Sequence, residues 1–252
     1  LRSIVSTSQL SVQLYSVREP LTADRAAALQ RLTEIGFRQA EPFGFGPGVS
    51  LQDIHDAGLA TPSAHGKVIA DDIDLSAAFG AAAEQGVQVL IDPAIAEERF
   101  ATAEAVASIA DELNAAAAVA AGHGVQVGYH NHWWELEGDV AGTSPLEHLA
   151  ALTDPAVVFE VDTYWVEVGG RRAVDVLGAI GDRVRFIHVK DGDASRDTLK
   201  QLPAGAGVVP VLDILAAAPQ ALRVVEFDAF DGDIFQGLEQ SFTYLTTNGV
   251  QA

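Results

Sequence analysis

The chain has no cysteine, which excludes disulfides, thiolate nucleophiles and Cys-ligated zinc. It has no methionine either, not even an initiator, and is expected to be less than a complete translation product. Cations are scarce: 15 Lys and Arg stand against 35 Asp and Glu, a formal net charge of −20. Such a charge repels nucleic acid phosphates and anionic membrane surfaces, so neither is expected as a partner. No run of about 18 apolar residues is present to span a membrane. The opening segment "LRSIVSTSQLSVQ" carries one early Arg but lacks the long apolar core of a signal peptide. Together these absences point to a cytoplasmic location. The glycine fingerprint G-x-G-x-x-G, which would follow the first strand of a dinucleotide-binding sheet, is missing too. "FGFGPG" at 43–48 lacks that spacing and reads as a loop.

What is present is a regular alternation. Strand-like runs lie at 11–16, 37–42, 59–65, 87–93, 125–131, 157–163, 184–190 and 222–228. Helix-like stretches separate them at 22–35, 49–57, 74–85, 97–121, 144–152, 171–180, 210–218 and 232–246. The first helix has a candidate Thr22 cap and ends at Gly36, a residue suited to the turn that closes a helix. Strands alternating with helices imply a parallel sheet with crossover connections. The α/β class is therefore expected, as a single (β/α)8 TIM barrel domain over residues 1–252. An open, doubly wound sheet is the alternative. With 48% hydrophobic residues, a large core is available.

Barrels of this kind carry their chemistry at the carboxyl ends of the strands. Those ends hold Gln13 and Tyr15, Glu41, His65, Asp92, then His130, Asn131 and His132 in "VGYHNHWWELE". The later strands add Glu160 and Asp162, His188 and Lys190, and Glu226 and Asp228. Alternation puts each of these last three pairs on one side of its strand. Imidazoles and carboxylates from neighbouring strands suit one divalent ion: Mn²⁺, Co²⁺, Mg²⁺ or Zn²⁺. Such an ion polarises a carbonyl while an adjacent carboxylate removes the α-proton. Lys190 is expected to neutralise a developing alkoxide. Trp133, Trp134 and Trp165 are candidates to cover the apolar face of a sugar ring.

The pieces "VQLYSVRE", "SAHG", "YHNHWWELEGD", "FEVDTYWVEVGG", "FIHVKDGD", "GAGVVPVLDIL" and "VVEFD", in this order, resemble the sugar phosphate isomerase/epimerase-like (xylose isomerase-like) TIM barrels, in particular a subgroup with a YHNH motif. The resemblance spans nearly the whole chain. It implies a metal held by Asp162, His188 and Glu226, with His130 where relatives carry a glutamate. Glu135, reaching back from the loop, is the other candidate for that fourth place. It further implies His65, Glu41, Tyr15, Gln13, Asn131 and Trp165 around the substrate, and Glu226, Glu135, Lys190 and His132 as catalytic candidates.

The implied activity is a metal-dependent carbohydrate isomerase or epimerase working through a metal-stabilised enediolate. A lyase or dehydratase acting on a keto-sugar, keto-inositol or keto-glycoside is the alternative. A metal-ligating His is a poor base, so the His130 departure bears on whether one base or two are available. A small-molecule carbohydrate is the expected partner, and assembly into a homo-oligomer stays open. A DNA-repair endonuclease of the same broad fold would want a basic groove, and a degenerate binding barrel would want a broken ligand set. Neither fits these residues.

Overall fold

Short runs that are apolar on both faces become the staves of a barrel. The computed structural model describes residues 8–70 and 72–252. Its strands are β1 (Leu10–Gln13), β2 (Ala40–Glu41), β3 (Ser63–His65), β4 (Val89–Asp92), β5 (Gln126–His130), β6 (Val158–Asp162) and β7 (Val184–Val189). A small hairpin of β8 (Asp191–Gly192) and β9 (Gln201–Leu202) precedes the last stave, β10 (Leu222–Val225). The parallel ladder runs β2-β1-β10-β7-β6-β5-β4-β3. Its two ends meet through the parallel Gln39–Ala60 bridge, where the Ala40 N–H donates to the Ala60 carbonyl at 2.8 Å. The result is a nearly closed (β/α)8 barrel, and the open sheet is set aside.

Each stave has two roles. Outward residues such as Val127, Tyr129, Phe159, Val161 and Ile187 pack beneath the surrounding helices. Inward residues Val89, Ile91, Val158, Phe186 and Val224 form a separate apolar floor inside the barrel. Gly128 belongs to this inner layer. A Cβ there would lie 2.9 Å from Ile91 Cγ1, so the glycine of "VGYH" makes room for the floor on which His130 stands.

Most expected helices are present with identifiable caps. Asp74, Thr102 and Ser144 each accept a backbone N–H at a helix start, and Ser144 with Glu147 forms a reciprocal capping box. The first expected helix is instead two, Arg18–Ala23 and Arg25–Ile35. The cap of the second is Asp24, accepting from Ala27 at 3.0 Å. Thr22 lies inside the preceding helix and donates to the Arg18 carbonyl. Gly36 does end the second helix, with φ of 126°. A short helix, Thr163–Val168, precedes Ala173–Ile180 and was not expected. Residues 1–7 of the opening segment lie outside the described residues. No helix among the described residues is long and apolar enough to cross a membrane.

The segment after β9 is tied down by one side chain. Buried Asp191 accepts the N–H groups of Gly192, Gly205, Gly207 and Val209 at 2.8–3.0 Å. A Cβ on Gly207 would fall 2.2 Å from Asp191 Oδ1, which explains that glycine in "GAGVV".

Candidate active site

Two residues beyond the apolar floor, the inward positions turn polar. Val158 is followed by Glu160 and Asp162, Phe186 by His188, Val224 by Glu226, and Gly128 by His130. These side chains, with Glu41 and His65, are all buried. Lys190, just past β7, completes the upper part of the group. Its Nζ lies 2.8 Å from Asp162 Oδ2, 2.7 Å from Glu226 Oε2 and 2.7 Å from Asp228 Oδ2. Gln201 fixes Asp228 from the hairpin, donating to Oδ2 at 2.7 Å and accepting its backbone N–H at 2.8 Å.

The two central imidazoles each face two ways. His188 directs Nδ1 toward Glu226 Oε2 at 2.7 Å and Asp162 Oδ2 at 3.9 Å. Its Nε2 lies 2.9 Å from Glu41 Oε1 and 3.1 Å from Glu160 Oε2. His130 places Nε2 4.0 Å from Asp162 Oδ2 and Nδ1 3.1 Å from Glu160 Oε2. Beneath them His65 Nε2 lies 2.6 Å from Glu160 and 3.2 Å from Glu41. Gln13 and Ser63 donate to the two oxygens of Glu41, Gln13 at 2.8 Å.

Burial would protonate these carboxylates, but neighbouring cations oppose it. Burial works to raise Glu41 and Glu226, yet His65 and His188 hold Glu41 well below the usual carboxylate range, and Lys190 and His188 do the same for Glu226. Glu160 is likewise lowered, to about 2: burial and Glu41 push it up, and His188 and His65 outweigh them. Asp162 goes the other way, to about 6, chiefly through burial, with Lys190 opposing. Burial works to lower His65 and His188, but their carboxylate neighbours win, taking His65 up to about 10 and His188 well above its ordinary value. Burial and His188 push His130 well down, so it is neutral.

A family model describing xylose isomerase-like TIM barrels matches residues 9–229. The chain belongs to the xylose isomerase-like TIM barrel family. No curated protein matches it. Among solved structures, it is similar to a sugar phosphate isomerase/epimerase from Parabacteroides distasonis, at 22% identity and a TM-score of 0.80, over 99% of this chain and 97% of that one. The probable 3-DHS dehydratase AsbF from Bacillus anthracis shares 14% identity with a TM-score of 0.71, over 94% and 98% of the two chains. The IolI protein with a bound zinc atom shares 12% with a TM-score of 0.68, over 96% and 97%.

In this xylose isomerase-like barrel the described residues offer two buried sets able to hold a metal ion. They are His65, His130, Glu160 and His188, and Asp162, His188 and Glu226. The donor chemistry fits a divalent cation. Glu41, Glu160, Asp162 and Glu226 are buried carboxylates beside a single permanent cation, Lys190. Without an ion the deficit falls on protons carried by His65 and His188. Asp162 Oδ2, Glu160 Oε1 and His130 Nδ1 are buried without a well-aligned hydrogen bond, although Lys190 and Glu160 stand close to the first and last. Buried polar atoms left in this way call for an explanation, and a bound ion or water is one.

The other expected residues surround this cluster. Asn131 bridges strand ends, accepting the Asp162 N–H at 3.0 Å and donating to the Asp162 carbonyl at 3.4 Å. Tyr15 is 39% exposed and sits at the rim, edge-on to Phe43, with the Arg18 guanidinium 4.1 Å from its ring centre. Trp165 is buried, its ring 5.4 Å from Lys190 Nζ, and its indole N–H has no partner. His132 stacks on Trp134 at 4.3 Å. Burial, then Lys190, lowers His132 to about 3, which makes it neutral and weakly basic.

Glu135 is placed elsewhere. It accepts the Tyr129 hydroxyl and, at 2.9 Å, the His132 N–H. Tyr129 points out of the barrel, so this bond anchors the loop against the helix-facing layer. Burial raises Glu135 to about 8. It is therefore neutral at pH 7 and outside both metal-ligating sets.

A raised folded pKa means that stability is complete below the unfolded value, near 4.5, and is lost as pH rises through about 8. Glutamine has the shape of the neutral acid. Glu135→Gln is expected to retain activity and to remove this loss, worth on the order of 4 kcal/mol, in denaturation measured from pH 5 to 9. A large loss of turnover would instead make Glu135 a base. Glu160 and Asp228 carry no expected role in the sequence, although strand alternation puts each on the same side as a named ligand.

Proposed function

We propose that the chain is a divalent-metal-dependent carbohydrate isomerase that moves a proton on the carbon next to a carbonyl with one base. The ion would be held by the Asp162, His188 and Glu226 set, with His130, whose Nε2 lies 4.0 Å from Asp162 Oδ2, as the fourth ligand. Bound there, it supplies Lewis-acid polarisation of substrate oxygens. Glu226 takes the α-proton and returns it to the neighbouring carbon, while the hydroxyl proton passes from one substrate oxygen to the other, the two transfers that aldose–ketose interconversion requires. Lys190, beside Glu226, faces the negative charge that develops on the substrate oxygens. The tryptophans exclude water and cover the apolar face of the sugar.

The observation that carries this reading is the inequality of the carboxylates. Glu226 keeps 6% exposure and stays ionised, whereas Glu41 and Asp162 are fully sealed and Glu135 is neutral and tethered. His132 is stacked on Trp134 and lies outside both metal-ligating sets, so it is not placed as a second base facing Glu226. Two-base epimerisation is thereby disfavoured.

The test is a panel of aldoses, ketoses, keto-sugars, keto-inositols and keto-glycosides in D₂O with Mn²⁺ or Co²⁺, read by mass. Deuterium uptake without loss of mass to water or alcohol is expected. Elimination products would assign the same site to a lyase, and no turnover of any member would overturn the reading. The metal step has its own check. His188 carries an extra proton in the metal-free protein and must lose it to ligate. Calorimetry at pH 7 in buffers of different ionisation enthalpy should therefore show proton release on Mn²⁺ binding, and affinity should fall as pH falls.

A further inference from the structure

Glu160 is not among the ligands assigned above, yet one of its oxygens is the meeting point of three imidazoles. Oε2 lies 2.6 Å from His65 Nε2, 3.1 Å from His130 Nδ1 and 3.1 Å from His188 Nε2. Oε1 is buried with no partner. The backbone explains the aim: Glu160 pairs directly with His130 across the β5–β6 ladder, and the two side chains rise on the same inward face. A carboxyl group buried at 1% exposure is costly to desolvate, and an apolar residue would continue the floor laid by Val158. Its presence therefore calls for a role that a hydrophobic side chain would not fill.

We propose, building on the metal site above, that Glu160 is the positioning residue for His130. Its carboxylate, which stands 3.1 Å from Nδ1 off the line of a full hydrogen bond, favours the proton on that nitrogen and leaves the Nε2 lone pair directed toward Asp162 and the ion. It also supplies, one layer behind the ligands, the negative charge missing from the ion's own ligands when a histidine stands at the end of β5 instead of a carboxylate. Glu41 does the equivalent for His188, meeting Nε2 at 2.9 Å while Nδ1 turns toward Asp162 and Glu226. Carboxylates behind ligating histidines fix ring orientation and raise ligand basicity, and their loss weakens metal binding by roughly 10- to 100-fold.

The experiment measures Zn²⁺ and Co²⁺ affinity by competition with a chromogenic chelator, alongside the melting temperature of the metal-free protein. Glu160→Gln is expected to weaken binding by about 10- to 100-fold, and Glu160→Asp to restore part of it. The bound Co²⁺ visible spectrum should shift in Glu160→Gln as the His130 ligand field changes. The decisive arm is the His130→Glu background, where the charge is back on the ion and no ring needs orienting. There Glu160→Gln should have little effect on affinity. An equal loss in both backgrounds would make Glu160 merely structural and overturn the inference, as would wild-type affinity in Glu160→Gln. Absence of metal binding by the wild-type chain would overturn the metal site itself, a separate outcome.

Discussion

Glu226→Gln is expected to slow exchange of the substrate's α-proton with solvent by about 10²- to 10⁴-fold, the usual worth of a general base. Glutamine keeps the shape and an oxygen for the ion but cannot take a proton. His130, Asp162 and His188 still face the same space, so the variant should retain most of its metal at saturating Mn²⁺. The two readouts together are diagnostic. Turnover lost with metal retained assigns Glu226 to proton transfer. Turnover and metal lost in parallel would reduce it to a ligand, and a loss below about tenfold would place the base elsewhere. Because Glu135→Gln should leave turnover intact, the pair separates a one-base site from a two-base site without a substrate analogue.

Much of this arrangement was legible from alternation alone. A residue two positions beyond an inward apolar residue also points inward, and that rule places Glu160 and Asp162, His188 and Lys190, and Glu226 and Asp228 in one interior. Depth and pairing were not legible. Which nitrogen of His188 faces Glu226 and which faces Glu41 depends on ring rotation and on a side chain 147 positions away. Glu135 illustrates the same limit within a local stretch. It sits in a loop full of ligand-like residues, but its partner Tyr129 lies at an outward position of β5, where a buried hydroxyl must find an acceptor. That requirement was the signal that this carboxyl belongs to the scaffold. The hairpin β8–β9 escaped because two-residue strands have no periodicity to read. The split of the first helix rests on one Asp24 side chain, whose competition with the backbone outweighs the helical pattern around it.

Lys190→Met should cost about 3–5 kcal/mol in the metal-free protein near neutral pH, the usual cost of stranding a buried charge partner. Lys190 is 2% exposed and its ammonium is shared by Asp162, Glu226 and Asp228, so its removal leaves carboxylates facing one another with no fixed cation. The pH dependence follows from Asp162, already raised to about 6 by burial against the opposition of Lys190. A carboxyl raised in the folded state contributes stability that is present below its unfolded pKa and lost as pH rises through its folded one. Without Lys190 the folded value climbs further, so the loss extends upward from about pH 6. The Asp162 part of the difference should fade below about pH 4, where that carboxyl is protonated in both states. The Glu226 part persists because, against burial, Lys190 and His188 hold that carboxylate ionised well below the usual carboxylate range. A divalent ion offers the other remedy, since it brings charge to the same oxygens and no longer meets a resident ammonium there. Mn²⁺ at 100 times its Kd adds about 2.7 kcal/mol to any chain that binds it only when folded. With the repulsion gone, the rise in melting temperature at a fixed Mn²⁺ concentration should be larger in Lys190→Met than in wild type. An equal or smaller rise would mean that Lys190 and the ion do not share the Asp162–Glu226 oxygens, and the placement of the metal beside them would fall with it.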